Sequence, residues 1–174
     1  ALAGISVNDL RRYPQPTASH LRDCLAIYHQ LGPTSGPDNI IVTKGGDELL
    51  RLAISTFVEE AESIAVAAPG YSLYDVLATA HGCSIQKFDL DNHWKLPENF
   101  ASKLNQSGAK ICFVVNPHAP SGQLCSVAEL RQLANDFQGV LFIDEAYVDF
   151  VDPEIGYDST PLINEFDNVL ILRT

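Results

Sequence analysis

Residues 144–147 read Asp-Glu-Ala-Tyr and follow directly on the apolar run Val-Leu-Phe-Ile at 140–143. Two carboxylates at the exit of a buried strand suit two kinds of chemistry. One is the acidic end of an ATPase strand, which holds magnesium. The other is a carboxylate paired with the ring nitrogen of pyridoxal phosphate, where a negative oxygen at Asp144 favours the pyridinium form and makes the ring an electron sink. Aspartate's short stem holds that charge rigidly, and Tyr147, three residues on, brings a hydroxyl within reach of the ring's phenolic oxygen. Tyr71, just after Pro69-Gly70, suits stacking on a ring face, because a flat aromatic side chain costs little entropy to hold. Turn capping by Asp144 and core packing by the two tyrosines are the plainer alternatives.

A second stretch, Thr-Lys-Gly-Gly-Asp-Glu at 43–48, bears on the choice. Gly45 and Gly46 have no side chains to block an approaching anion, and a helix starting there offers unpaired N–H groups at its positive dipole end. A phosphate fits on the amides of Gly46 and Asp47; a plain glycine turn with Asp47 capping the helix is the alternative. The ATPase reading requires a loop of the form G-x-x-x-x-G-K-[ST]. No Gly-Lys dipeptide occurs in the chain, so the magnesium reading of Asp144 and Glu145 falls away.

Positioning these residues takes alternating strands and helices, and apolar period together with breaker residues predicts them. After the turn at 12–16, Leu21, Cys24, Leu25, Tyr28 and Leu31 recur at helical spacing and Gly32-Pro33 stops the run. A short strand is expected at 40–42 and a helix from Asp47 carrying Leu50, Ala53, Ile54 and Phe57. Further strands are expected at 63–68, 84–90, 109–115, 140–144 and 168–173, with helices at 72–81, near 97–104, at 126–137 and near 161–166. Ser126 with Glu129 three residues on forms a capping box that sets where its helix starts. This order predicts an α/β three-layer sandwich with a mostly parallel sheet covered on both faces. Ligands of such sheets bind beyond the carboxyl ends of the strands, and the loops at 43–48, 68–74, 116–122 and 144–147 all fall there.

Composition narrows the function classes. The chain of 174 residues carries 11 Lys plus Arg against 22 Asp plus Glu, a formal charge of −11. Nucleic acid is a poor partner for such a chain, because neutralising phosphates needs a basic face. No tract of about 20 apolar residues and no leader-like start is evident, so the expectation is a soluble, cytoplasmic protein without a membrane partner. Cys24, Cys83, Cys112 and Cys125 are widely spaced, with no C-x-x-C pair and no histidine at metal spacing, which predicts reduced thiols in the core and no metal site. Both ends cut awkwardly through apolar runs, at 1–5 and 168–174, which suggests a piece of a longer chain.

Six motifs together resemble one family: RYPQP at 12–16, KGGDELL at 44–50, PGYSLYD at 69–75, NPHAPSG at 116–122, DEAYVDF at 144–150 and DNVLILRT at 167–174. In that order they resemble histidinol-phosphate aminotransferase, among the fold-type-I aminotransferases that use pyridoxal 5'-phosphate. The resemblance implies the large cofactor-binding domain of such an enzyme, covering 1–174, with the N-terminal arm, the Schiff-base lysine segment and the small C-terminal domain outside it. It further implies that Gly46 and Asp47 give amides to the cofactor phosphate, Tyr71 stacks on the ring, Asp144 pairs with its nitrogen, and Tyr147 bonds the phenolic oxygen. Thr174 would offer its hydroxyl to the phosphate, and Tyr13 would reach the phosphate of the neighbouring subunit in a homodimer. The expected substrates are a small amino donor, histidinol phosphate, and 2-oxoglutarate.

Two departures from the family pattern stand out. Family members commonly read N-P-N-N-P-T-G where this chain has Ala119, which cannot donate to the phenolic oxygen, so Asn116, His118 or Tyr147 alone would carry that contact. The Schiff-base lysine is expected just after Thr174, and Lys44, Lys87, Lys95, Lys103 and Lys110 match no such position. A threonine-phosphate decarboxylase, an aromatic aminotransferase and a non-catalytic α/β module for binding or dimerisation are the competing expectations.

Overall fold

Successive side chains of a strand face opposite ways, so a strand buried on both faces feeds two separate cores. The middle strands show this residue by residue in a computed structural model, which describes residues 6, 8, 11–32 and 35–174. On one face lie Ala65, Cys112, Val114, Leu141 and Ile143; on the other lie Ile64, Val66, Ile111, Phe113 and Phe142. The chain divides into two units, residues 1–42 and 43–174.

The second unit holds a five-stranded, fully parallel sheet: β1 (Ser63–Ala68), β2 (Ser84–Asp89), β3 (Ile111–Val115), β4 (Val140–Asp144) and β5 (Val169–Leu172). Their spatial order is β2-β1-β3-β4-β5, so the chain runs outward from β1 to β2 and then crosses back to build the other half. The reversal opens a crevice at the carboxyl ends of β1 and β3, where open α/β sheets take their ligands. Helices α2 (Gly46–Phe57) and α3 (Leu73–His81) cover one face, using Leu50, Ala53, Ile54, Tyr74 and Ala78. Helices α4 (Phe100–Ser107), α5 (Val127–Asp136) and the short α6 (Leu162–Glu165) cover the other, using Phe100, Leu104, Leu130, Leu133 and Leu162. The start of α5 is the expected capping box: Ser126 Oγ accepts from the Glu129 amide at 3.2 Å while the Glu129 carboxylate accepts from the Ser126 amide at 2.8 Å. Such a cap contributes about 1 kcal/mol.

The first unit contains helix α1 (Ser19–Tyr28) and a short 3₁₀ turn, Pro37–Asn39. Here the structure corrects one expectation. Residues 40–42 form no strand; Ile41 is largely exposed, and no strand among the described residues pairs with this run. Three apolar residues in a row satisfy a strand pattern, but a strand exists only with a hydrogen-bonded ladder, which local pattern does not supply. The thiol expectation also holds only in part: Cys83 and Cys112 are buried, Cys125 is half-buried, and Cys24 lies exposed on α1. Helical spacing marked Cys24 as inward, yet α1 buries none of its residues. None of the helices among the described residues is long and apolar enough to cross a membrane.

Candidate functional site

The carboxyl edge of the sheet carries a cleft of about 450 Å³, a size suited to a small-molecule ligand. Each bounding element contributes through its carboxyl end or, for α2, its amino end. Gly70, Tyr71 and Ser72 follow β1, Ala119 and Pro120 follow β3, Asp144 and Tyr147 close β4, Thr174 follows β5, and Gly46 and Asp47 open α2. Six of the eight cofactor-site residues expected from sequence therefore line one cavity.

Local backbone chemistry explains the α2 end. Gly45 has φ 86° and ψ 172°, a region essentially closed to residues with a Cβ. Gly46 is needed for a different reason: a Cβ there would lie 3.2 Å from the Leu172 Cδ1 and the Thr174 Cγ2 methyls, so its absence lets the helix start sit against the end of β5. No side chain caps the first turn, which leaves amides and the positive dipole end of α2 at the cleft. A Gly45→Ala variant is expected to lose about 1–3 kcal/mol of stability in urea unfolding. The loss is conformational, because an added methyl meets nothing within 4 Å; a variant as stable as the parent would show that the turn relaxes freely.

The Asp-Glu pair resolves into two carboxylates with different surroundings. Asp144, 5% exposed, lines the cleft; its Oδ2 accepts from the Tyr74 hydroxyl at 2.7 Å and its Oδ1 from the Ala146 amide at 3.2 Å. Glu145, 1% exposed, takes no part in the cleft lining. Its Oε1 accepts from the Ser159 hydroxyl and from Tyr157 at 2.7 Å, and its Oε2 accepts from Arg173 Nε at 2.9 Å. Burial first, and the Glu145 charge next, push the Tyr157 phenol well above its ordinary range, so it remains a donor. Glu145 thus ties the ends of β4 and β5 to the loop at 157–159.

The other expected residues separate. Tyr71 is half-exposed at the rim, its hydroxyl donating to Asp47 Oδ1 at 3.3 Å. Burial and the Asp47 charge raise its phenol. Tyr147 is exposed beside Phe150. Asn116 does not line the cleft. Its amide nitrogen donates to the Cys125 carbonyl at 3.1 Å and to the Tyr157 hydroxyl at 2.7 Å, and its Oδ1 accepts from the Cys125 amide at 2.8 Å, so its polar atoms are committed to the loop. His118 is likewise an internal brace: Nε2 lies 2.7 Å from the Pro69 carbonyl and must donate to it, leaving Nδ1 to accept from the Ser121 hydroxyl at 2.8 Å. Ala119 does face the cleft and brings no donor. Tyr13, in the first unit, is 100% exposed. None of the five lysines lines the cleft.

Sequence reasoning missed Tyr74 and the Glu145 network. Tyr71 and Tyr74 are three apart at a helix start, a spacing that brings side chains together, and their rings meet edge-on at 5.8 Å. That signal was available. For Glu145 the partners Tyr157, Ser159 and Arg173 lie 12 to 28 residues away, with no local pattern to announce them.

Residues 5–174 match the family model for aminotransferase class I and II. The chain belongs to this family. It is 32% identical over all 174 residues to a histidinol-phosphate aminotransferase of Rhodopirellula baltica, covering 46% of that protein, and 34% identical to histidinol-phosphate aminotransferase 1 of Trichormus variabilis, covering 47%. A crystal structure of histidinol-phosphate aminotransferase from Sinorhizobium meliloti in complex with pyridoxal-5'-phosphate superimposes with a TM-score of 0.83 at 22% identity, over 97% of this chain and 45% of that one. At that identity the likeness speaks to the fold. The chain spans about half the length of the curated relatives it matches.

Proposed function

We propose that this aminotransferase chain is the cofactor-binding part of a histidinol-phosphate aminotransferase that takes pyridoxal 5'-phosphate in the cleft. The observation that carries the reading is the sharing of one cavity by a buried carboxylate, Asp144, and an uncapped helix start at Gly46 and Asp47. These ends suit the two charged ends of that cofactor, a protonated ring nitrogen and a phosphate. When bound, the cofactor supplies an electron sink for the bond changes at the amino carbon.

The chain's own residues orient it. Amides of Gly46 and Asp47, with the Thr174 hydroxyl, hold the anionic end. Asp144, fixed through both oxygens, presents its charge to the ring nitrogen, and Tyr71 lies at the rim to cover a ring face. Contact with the phenolic oxygen falls to Tyr147, because Ala119 has no donor and the Asn116 amide is engaged elsewhere. The catalytic lysine belongs to the part of the protein beyond Thr174. The amino donor is histidinol phosphate, as the relatives' names suggest, the acceptor is 2-oxoglutarate, and the active form is a cytoplasmic homodimer in which Tyr13 reaches the partner's cofactor.

The test uses the complete polypeptide with added pyridoxal 5'-phosphate, histidinol phosphate and 2-oxoglutarate. Glutamate formation with a visible cofactor band is expected. A colourless protein that ignores the cofactor overturns the reading, and release of carbon dioxide from threonine phosphate would move it to the decarboxylases.

A further inference from the structure

A buried hydroxyl that donates to a carboxylate in a ligand cleft fixes both the direction of that carboxylate and the lone pairs it has left. Tyr74 is in this position. It is 2% exposed, its ring stacks on Phe113 with centroids 4.9 Å apart and planes 23° off parallel, and its hydroxyl ends 2.7 Å from Asp144 Oδ2. The stack leaves the ring little freedom, so the hydroxyl is a fixed donor rather than a passing one. The same ring meets Tyr71 edge-on at 5.8 Å, so one buried side chain touches two residues at the cleft.

We infer that Tyr74 is a positioning residue for Asp144: its hydroxyl, with the Ala146 amide on the other oxygen, locks the carboxylate so that its remaining lone pairs face the cleft. An ionised carboxylate offers about four lone-pair sites. Two are used by Tyr74 and Ala146, and two remain for a cationic partner. Without the Tyr74 bond the carboxylate is held on one side only, and its charge spreads over several rotamers. The donor is also chemically robust, since burial first and the Asp144 charge second raise the phenol far above its ordinary value.

The inference rests on the proposed function, with pyridoxal 5'-phosphate as the cleft ligand, and its test keeps the two apart. Cofactor dissociation constants are measured on the complete polypeptide, by absorbance, for the parent, Tyr74→Phe, Asp144→Asn and the double variant. Tyr74→Phe keeps the ring and its stack and removes only the donor. It is expected to weaken binding about 10-fold, the scale of one hydrogen bond to a charged group. In the Asp144→Asn background the same change is expected to add less than about 2-fold, because the charge it positions is gone. Tyr74→Met, also without a donor, repeats the comparison should the phenylalanine variant not fold. If the parent binds the cofactor and Tyr74→Phe binds it equally well, or if the two losses simply multiply, the inference is overturned while the function stands. If the parent does not bind at all, both fall.

Discussion

Replacing Asp144 by asparagine in the complete polypeptide is expected to cut turnover at least about 100-fold while changing stability by no more than about 1 kcal/mol. The two halves of that expectation have separate causes. Asparagine has nearly the same shape, and its amide oxygen still accepts from Tyr74, whose hydroxyl is 2.7 Å from the carboxylate in the parent, while only the longer bond from the Ala146 amide, 3.2 Å, is given up. The packing around residue 144 therefore survives. What disappears is a fixed negative charge at a position 5% exposed, where it is weakly screened and worth far more than in water. Single-turnover rates with cofactor at saturation, alongside urea unfolding, check both halves. A variant within about 3-fold of the parent would mean that the charge at 144 does not act on the reaction.

Glu145 is expected to behave in the opposite way. Glu145→Ala should cost about 3–5 kcal/mol in urea unfolding, the range for breaking one side of a buried ion pair. The variant strips the acceptor from the Ser159 and Tyr157 hydroxyls and removes the carboxylate 2.9 Å from Arg173 Nε. Because Arg173 precedes Thr174 at the cleft, some loss of cofactor affinity should accompany the loss of stability, and it should recover at temperatures where the variant is fully folded. A stability change below about 1 kcal/mol would show that the network relaxes around the gap. Two adjacent carboxylates thus separate into one whose loss is felt in chemistry and one whose loss is felt in folding.

Much of this arrangement was legible before any coordinates. Strand positions followed from apolar runs bounded by Gly, Pro and polar clusters, and β1 and β4 match their expected bounds. The capping box at Ser126 and Glu129 is a local device, and local devices read well from local sequence. The run at 40–42 was misread because pairing is not local. Asn116 is expected from sequence as a stand-in for the donor missing at Ala119, yet which side of a loop a side chain takes depends on neighbours such as Tyr157, 41 residues away.

By itself the chain's chemistry determined the alternating α/β plan, the glycine pair that must open a helix, and the presence of an acid and tyrosines at strand ends. Those are properties of neighbouring residues, set by propensity, period and backbone freedom within a few bonds. Only the tertiary structure decided which acid faces the cleft, which is buried against Arg173, and that a tyrosine from α3 holds Asp144 across 70 residues of chain. The reason is that successive strand-end side chains point to opposite sides, and the partner waiting on each side is supplied by packing between elements distant in sequence.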